Sequence, residues 1–397
     1  MSARDLNALA ARVDAPAPPA DLDSGAWSCA TTAAAFAELR PEWEALFAAN
    51  PLHSPFLAWG WVDAWLRHLA GPHELRIVLW RDRQGGLQFI LPLIVRPRQG
   101  PLWTDVVTLV CGYGPDCSDY LGGLRLPRHD SRVADLLGDA ISRFGGTANV
   151  VRLPFLSGQD ALVSRLALMG RSQGRRARVS ETERCPRVAL PADFDAFMKS
   201  LSGNFRSQVR RHFNRIGKQP DLEFRAFGHH EAHDFVRSLI ELNRSRMKEK
   251  GDVSSLEDAD FRAFLGDAIP YMAERGIAWL DAVEQEGSII GASLNFVHGN
   301  SVYYYMGGFD AEASKFRPGI ALFAHVIQRS IARGCGVYDF LRGVEAYKYR
   351  WGAVDVPLES VDLYPATAFG GRAAWIVESA KRCARQLVNA ARHRSHA

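Results

Sequence analysis

The sequence predicts an α/β protein made of two similar halves, each a mixed β-sheet flanked by helices. Apolar residues alternate between helical and strand-like periods along most of the chain. Residues 75–95 and 277–297 both run from a strand through an acidic, glycine-containing turn into a longer apolar strand. Two strand pairs of similar length and turn chemistry indicate an internal duplication. Because hairpins are common, a coincidental match remains the alternative.

Length and composition restrict the class of protein. A chain of 397 residues that is 47% hydrophobic can bury one large core or two ordinary ones. Its net charge is only +4, from 48 basic and 44 acidic residues. No global basic field therefore favours nucleic acid as a partner, and an anion site would need a local cluster.

The cysteines and the apolar runs indicate a compartment. Six cysteines, at positions 29, 111, 117, 185, 335 and 383, lack zinc-knuckle spacing and are typical of a reducing environment. No apolar run approaches the roughly 18 residues of a membrane span, and the N-terminus lacks a signal-peptide core. We predict a cytoplasmic protein, with peripheral contact at the inner membrane as an open alternative.

The first half is predicted to span residues 26–169, after a flexible segment at 1–25 that is rich in alanine, proline and aspartate. Its order is two helices, a hairpin, a further strand, a helix and a strand. The ranges are 33–46, 59–69, 75–80 with 87–95, 103–112, 133–144 and 149–155.

The polar, basic residues 170–187 are predicted to separate the halves, and the second half spans 186–370. It reads as three helices, three strands, a helix and a strand. These cover 193–201, 202–218, 233–250, 277–283, 289–298, 301–309, 319–333 and 336–341. Residues 371–397 read as a basic amphipathic helix, which could pack on the protein or lie on a membrane surface.

A loop that opens directly into a helix forms the first candidate site. Arg317-Pro318-Gly319 follows a strand and precedes a helix, so free backbone N–H groups at the helix start could cradle a phosphate. Pro318 suits the first helical turn, and Gly319 lets the chain pass close to a ligand. The simpler alternative is that proline and glycine merely begin the helix.

The segment LRGVEAYKYRWG, residues 341–352, combines charges with large aromatic residues. Arg342, Glu345, Lys348 and Arg350 alternate with Tyr347, Tyr349 and Trp351. Such a mixture fits a cleft wall whose cations face negative charge on a reacting carbonyl or a phosphate. It also fits a core edge where cationic side chains extend over aromatic rings.

Several stretches together resemble one family. PFLAWGWVDAWLRH, CPRVALPADFDAFMKSLSGNFRSQVRRHFNRI, YYYMGGFD, RPGIAL and YDFLRGVEAYKYRWGA are similar to the BioF-like or CelD-like acyltransferases of the GNAT superfamily. These are relatives of the FemAB aminoacyl transferases, and several members occur in exopolysaccharide gene contexts. The resemblance covers about residues 30–365. It implies tandem GNAT-like halves and an acyl-CoA donor, and it implies no metal.

The resemblance also implies roles for particular residues. The Gly-x-Ala part of the pyrophosphate signature corresponds to Gly319-Ile320-Ala321, but Phe316 occupies the expected Arg/Gln position and Arg317 follows it. Lys348 and Arg350 become candidate cations beside the acyl group, with Tyr347 and Trp351 as substrate-binding residues. The candidate general bases are Glu345 first and Asp339 second. Glu345 as a mere ion-pair partner of Lys348 or Arg350 remains equally open.

The basic helix 202–218 allows two interpretations. Phe205, Val209, Phe213 and Ile216 form an apolar stripe, while the other faces carry five cations, including Arg206 and Arg210. Such a charge run is commonly a solvated surface. The resemblance places this helix at the cleft mouth, where Arg206 and Arg210 could bind a phosphate-bearing acceptor, the CoA 3′-phosphate or a cyclic dinucleotide. His229, His230 and His233 are predicted to be surface histidines.

The resemblance therefore predicts an acyl-CoA-dependent N-acyltransferase, most simply an N-acetyltransferase, that acts in a ternary complex. The first half, which lacks an RPGIAL counterpart, would shape the acceptor side. The expected acceptor is an amino sugar or another amine on a cell-surface polysaccharide precursor. Its sugar ring could stack on Trp59, Trp61, Tyr304 or Trp351. The alternatives are a FemAB-like aminoacyl transferase and a degenerate, nucleotide-sensing scaffold.

Overall fold

A computed structural model describes most of the chain. The described residues are 25–97, 104–114, 118–146, 149–157, 162–251, 253–366 and 371–377. The predicted flexible segment lies outside them, apart from Gly25. Of the predicted C-terminal helix, residues 371–377 are helical and the remainder lies outside the described residues.

The first half contains strands β1 to β7 and helices α1 to α5. The strands are β1 (Ala26–Ala30), β2 (Glu74–Arg81), β3 (Leu87–Arg96), β4 (Val106–Leu109), β5 (Leu124–Arg125), β6 (Val150–Ser157) and β7 (Arg175–Ala189). The helices are α1 (Ala33–Glu38), α2 (Arg40–Ala49), α3 (Trp59–His68), α4 (Val133–Phe144) and α5 (Leu162–Ser172).

The second half contains strands β8 to β13 and helices α6 to α11. The strands are β8 (Leu222–Phe227), β9 (Ala278–Gln285), β10 (Ser288–His298), β11 (Ser301–Phe309), β12 (Val337–Asp339) and β13 (Val354–Pro365). The helices are α6 (Phe194–Ser200), α7 (Gly203–Ile216), α8 (Ala232–Lys250), α9 (Ala259–Glu274), α10 (Pro318–Ala332) and α11 (Ala346–Tyr349).

Local chemistry explains where several elements begin and end. The apolar stripe at 33–46 is divided into α1 and α2 because Pro41, which has no N–H, stands in the first turn of α2. The Thr32 side chain accepts the Ala35 N–H at 3.1 Å and so caps α1. Helix α8 ends at Gly251, whose φ of 74° places it in the left-handed region.

The strand order confirms the tandem reading. The sheet runs β1-β2-β3-β4-β6-β13-β7-β12-β11-β10-β9-β8, with β5 beside β3. In each half, successive antiparallel pairings lead to one parallel pairing, β4 with β6 and β11 with β12. The echoed hairpins, β2-β3 and β9-β10, occupy equivalent positions. The fold is therefore an α/β arrangement of two GNAT-like halves.

The expectation of two sheets needs correction, because the halves share one sheet. β13 of the second half pairs with β6 of the first, and β7 of the first half pairs with β12 of the second. β7 and β13 also pair with each other from Arg175↔Pro365 to Arg187↔Val354. Each half thus completes the sheet of the other.

The predicted boundary at 170–187 contains most of β7, at the centre of the sheet. Its composition is polar because many of its side chains, including those of residues 181–184, remain exposed. Apart from Arg175, its buried residues lie at the end of the strand, from Cys185 onward. A strand with so few buried positions lacks the apolar alternation by which strands are recognised in a sequence.

The largest hydrophobic cluster of the described residues extends through both halves. It joins Trp61 of α3 and Leu93 of β3 to Phe264 of α9 and Phe296 of β10. The indole of Trp61 is fully buried and contacts Phe264 edge-on, with 4.6 Å between the ring centres. Trp59 is buried too, and it stacks on Phe36 at 4.2 Å. The proposed stacking of Trp59 and Trp61 on a sugar is therefore wrong, because both rings belong to the core.

Candidate active site

A cleft opens in the second half where two parallel strands part. β11 pairs with β12 only from Ser301↔Val337 to Tyr303↔Asp339. β12 then ends, while β11 continues to Phe309. A register shift beside Leu294 and Asn295 leaves Tyr305 of β11 as an extra residue opposite β10, which adds a local kink. The second half of β11 is therefore exposed along one edge to the cleft.

The cleft has a volume of about 270 Å³ and is walled by β10, β11, α7, α8, α10 and α11. Its lining residues include Tyr304, Arg246, Arg317, Gly319, Tyr347, Arg350 and Trp351. Three guanidinium groups, and no carboxylate, stand among the lining residues that the structure describes. The cleft is therefore suited to an anionic ligand.

One end of the cleft is the start of α10. Arg317 precedes the helix with φ 52° and ψ 53°, in the left-handed region, and Pro318 is the first helical residue. A Cβ on Gly319 would meet only the ring of Phe309, at 3.6 Å. The space above the first turn is thus open, as the predicted phosphate cradle requires.

Phe316 occupies the position where the signature expects an arginine or glutamine, but it has a packing role, and the neighbouring Arg317 faces the cleft. Phe316 is buried in a cluster with Ile216 and Leu322, under the Arg215 guanidinium, whose centre lies 4.6 Å from the ring. It fixes the loop, and the exposed Arg317 reaches the cleft instead. A cation therefore stands beside the helix start despite the altered signature.

Arg246 is a cleft residue that sequence reasoning missed. It lies on α8, seven residues after the buried Leu239, and so on the same face of the helix. Its guanidinium lies 4.5 Å from the Phe309 ring centre. Its Nε is buried and has no hydrogen-bond partner among the described residues. The sequence carried one signal for Arg246, which is that a cation stands on the inward-facing stripe of a helix.

Residues 341–351, the active segment, are fixed from within by Lys348. Its ammonium is buried and donates to the carbonyls of Arg342 at 2.7 Å and Gly343 at 3.1 Å. It also lies 2.9 Å from a carboxylate oxygen of Glu345. Lys348 therefore organises the turn rather than facing the cleft, and Glu345 is its largely exposed partner.

Arg350 and Trp351 do reach the cleft, as predicted. Arg350 Nη2 donates to Gln208 Oε1 at 2.8 Å, and its guanidinium lies 4.1 Å from the Phe205 ring centre. Trp351 packs edge-on against Phe205 at 4.9 Å. These contacts join the active segment to α7, whose apolar stripe contributes Phe205.

Two tyrosines line the deeper part of the cleft. Burial raises the pKa of Tyr304 to about 12, with Arg246 lowering it in part and Glu345 raising it. Burial also raises the pKa of Tyr347 well above its usual range, and the charges of Tyr304 and Glu345 act in the same direction. Both phenols stay protonated at neutral pH and can donate hydrogen bonds.

Asp339 lies outside the cleft. Its buried carboxylate accepts the Leu341 N–H at 2.7 Å and the Tyr120 hydroxyl at 2.8 Å, and it pairs with Arg187. These contacts use both of its oxygens. The structure thus assigns Asp339 to a buried polar network between the halves.

Other candidates are not brought to the cleft. Ala321 is buried beneath it, and Arg206 donates to the Lys199 carbonyl at 3.2 Å. Arg210 is exposed and does not line it. His229, His230 and His233 are exposed, as expected. Within the described ranges, no group of His, Cys, Asp and Glu side chains is arranged to hold a metal ion.

One family model matches part of the chain. Residues 203–349 match the family model described as an acetyltransferase (GNAT) domain. That range contains β11, α10 and nearly all of the active segment. No curated protein matches the chain by sequence. No helix in the described part of the chain is long and apolar enough to cross a membrane.

Solved structures share the fold at low sequence identity. FemX has a TM-score of 0.57 and 13% identity, covering 81% of this chain and 95% of its own. The C-terminal domain of a putative lysylphosphatidylglycerol synthetase from Agrobacterium fabrum has a TM-score of 0.53 and 13% identity, covering 86% and 95%. A conserved protein of unknown function from Bacteroides thetaiotaomicron has a TM-score of 0.50 and 10% identity, covering 82% and 96%.

Proposed function

We propose that this protein is an N-acyltransferase that takes its acyl group from an acyl-CoA, acetyl-CoA being the simplest donor. The observation that carries the proposal is the cationic cleft at the start of α10, most of whose lining residues lie in the range that matches the GNAT acetyltransferase model. The N–H groups of a first helical turn and an adjacent guanidinium suit a diphosphate. Gly319 and Arg317 are the residues that would hold it.

Residues that line the cleft would supply the groups that acyl transfer requires. The acceptor nitrogen attacks the thioester carbonyl carbon, the C–S bond breaks, and the sulfur leaves as a thiolate. Arg246 or Arg350 would stabilise the negative charge that develops on the carbonyl oxygen. A protonated phenol, that of Tyr347 or Tyr304, would give its proton to the thiolate and recover one, through water, from the nitrogen as the amide forms.

The ammonium proton of the acceptor must be lost before attack. Glu345 is the carboxylate whose charge reaches both Tyr304 and Tyr347, so it remains our candidate base. Its carboxylate lies 2.9 Å from Lys348 Nζ, which would hold the side chain in place. Proton removal by Glu345, directly or through water, would leave the acceptor nitrogen free to attack.

For the acceptor we propose an amino sugar on a cell-surface polysaccharide precursor, acylated in the cytoplasm. Support comes from the rings of Tyr304 and Trp351 on the cleft wall, which could stack on a sugar. Arg206 and Arg210, on α7 outside the cleft, would meet a phosphate of such a precursor near its mouth. A cyclic dinucleotide regulator or a membrane surface would also find cations on this helix.

Titration calorimetry with acetyl-CoA tests the donor site. Gly319→Asp places a carboxylate at the proposed diphosphate position and should abolish binding in a folded protein. Gly217→Asp is the matched control, because Gly217 ends α7 with φ −74° and an added Cβ there would have open space. Equal affinity of both variants for acetyl-CoA would remove the donor assignment.

The same titration separates the alternatives. An aminoacyl transferase of the FemAB kind should bind an aminoacyl ester of adenosine and ignore acetyl-CoA. A nucleotide-sensing scaffold should bind acetyl-CoA or a cyclic dinucleotide without releasing CoA thiol in the presence of glucosamine. Binding of acetyl-CoA together with thiol release on addition of glucosamine is the expected result.

A further inference from the structure

We infer that the first half positions the active segment of the second half, and that Asp119 is the positioning residue. Asp119 lies in residues 118–121, the anchor loop. Its buried carboxylate accepts Arg342 Nε at 2.6 Å and the Arg342 backbone N–H at 3.1 Å. Arg342 Nη2 also donates to the carbonyl of Ser118. One arginine at the beginning of the active segment is thus held by three contacts from the other half.

The anchor loop is itself rigidly held by the first half. The Ser118 hydroxyl accepts Trp61 Nε1 at 2.9 Å, and the Asp119 carbonyl accepts the Ser54 hydroxyl at 3.1 Å. The Leu121 N–H donates to the carbonyl of Phe155 on β6 at 2.9 Å. The loop therefore transmits the position of α3 and β6 to Arg342.

A second connection runs parallel to the first. The Tyr120 hydroxyl donates to Asp339 Oδ2 at 2.8 Å, and Asp339 Oδ1 accepts the Leu341 N–H at 2.7 Å. Neighbouring residues of the anchor loop thus fix the two residues, Leu341 and Arg342, at which the active segment begins. Both connections are buried, where hydrogen bonds to a charged group are strong and costly to break.

The fixed start of the segment controls the cleft through Lys348. The carbonyls of Arg342 and Gly343 accept the buried Lys348 ammonium, and Lys348 belongs to α11. Tyr347 precedes Lys348, and Arg350 and Trp351 follow it, so all three cleft residues depend on this attachment. Asp119 does not line the cleft, and it acts on the site only through Arg342.

Hydrogen–deuterium exchange of the full chain without ligand tests this inference independently of the proposed function. Asp119→Asn should speed exchange of residues 341–351 by about tenfold and leave α9 and β9 unchanged, because a charged hydrogen bond is lost locally. Asp130→Asn is the matched control, since Asp130 lies 2.6 Å from Arg125 Nε within the first half. It should leave exchange of the segment unchanged.

Arg342→Lys is a second variant in case Asp119→Asn fails to fold. It retains the charge and the backbone N–H but loses the guanidinium contact to Ser118, so a smaller, equally local increase is expected. If acetyl-CoA is the donor, Asp119→Asn should also lower kcat about tenfold and change the Kd for acetyl-CoA less than about twofold. Unchanged exchange of 341–351 in a folded variant, or an equal increase throughout the chain, would overturn the positioning role.

Discussion

At the scale of single residues, most of the cleft residues come from two short stretches of sequence, and one cation, Arg246, comes from a distant part of the chain. Arg317, Gly319, Tyr347, Arg350 and Trp351 could be predicted because each lies in a short stretch whose chemistry is legible in the sequence. Arg246 was missed because it comes from α8, far from those stretches. Lys348 looked like a cleft cation, but only the fold shows that carbonyl oxygens surround its ammonium. Which cation faces a ligand depends on packing.

Arg246→Gln should lower kcat/KM for acetyl-CoA about 100-fold, measured as CoA thiol release with glucosamine. The guanidinium in the cleft offers charge that a neutral amide cannot, and loss of one such contact costs about 3 kcal/mol in the transition state. Arg244→Gln is the matched control on the same helix, where Arg244 forms a surface pair with Glu257 at 2.8 Å. Equal rates for the two variants would make Arg246 a packing residue.

At the scale of elements, strongly periodic segments were predicted well and half-solvated ones were not. The hairpins, α4 and α10 follow clear periods, and the structure confirms them. β7 and β13 were not predicted as strands, because their exposed positions carry charged residues. α9 was missed although its inward face is apolar, and Pro270 stands inside it. Proline ordinarily argues against a helix interior.

The junction of α2 and β5 should make the protein sensitive to acid. Buried His53 accepts the Arg125 N–H through Nε2 at 3.0 Å, and its Nδ1 lies 3.3 Å from the Phe47 carbonyl. Burial, aided by the charge of Arg125, lowers the pKa of His53 to about 3, from 6.5 in the unfolded chain. Below pH 6.5 His53 binds a proton in the unfolded chain but not in the folded protein. The free energy of unfolding therefore falls as the pH falls toward 3.

For His53 alone, the loss of unfolding free energy between pH 7 and 5.5 is about 1 kcal/mol. Urea unfolding at both pH values measures it. His53→Gln should be less stable at pH 7, yet its loss over this interval should be smaller than that of the parent protein by about that amount. His129, whose pKa burial and Arg128 lower to about 4, remains in both proteins and supplies a common background. An identical pH dependence for parent and variant would contradict this account.

At the scale of the whole molecule, the two halves form one unit because β7 and β13 each pair with a strand of the other half. The repeated hairpins predicted the duplication. They did not predict that β7 and β13 pair with strands of the other half, because local periodicity does not show pairing between distant segments. The shared sheet, the core that joins Trp61 to Phe264 and Phe296, and the anchor loop all connect the halves. The matched acetyltransferase range, 203–349, excludes both exchanged strands. It is therefore not a complete structural unit of this protein.

Because the sheet and core are continuous, a defect confined to the first half should destabilise both halves equally. Leu136 on α4 is fully buried, and Leu136→Ala should cost about 2–5 kcal/mol, the usual range for a buried leucine. Hydrogen exchange under mildly denaturing conditions should then show the same loss of protection in β2 and β10. Leu168→Ala, at a position 61% exposed on α5, is the matched control and should change neither strand. Loss of protection in β2 with β10 unchanged would show that the halves unfold separately, and that the shared sheet joins two units that are stable independently of each other.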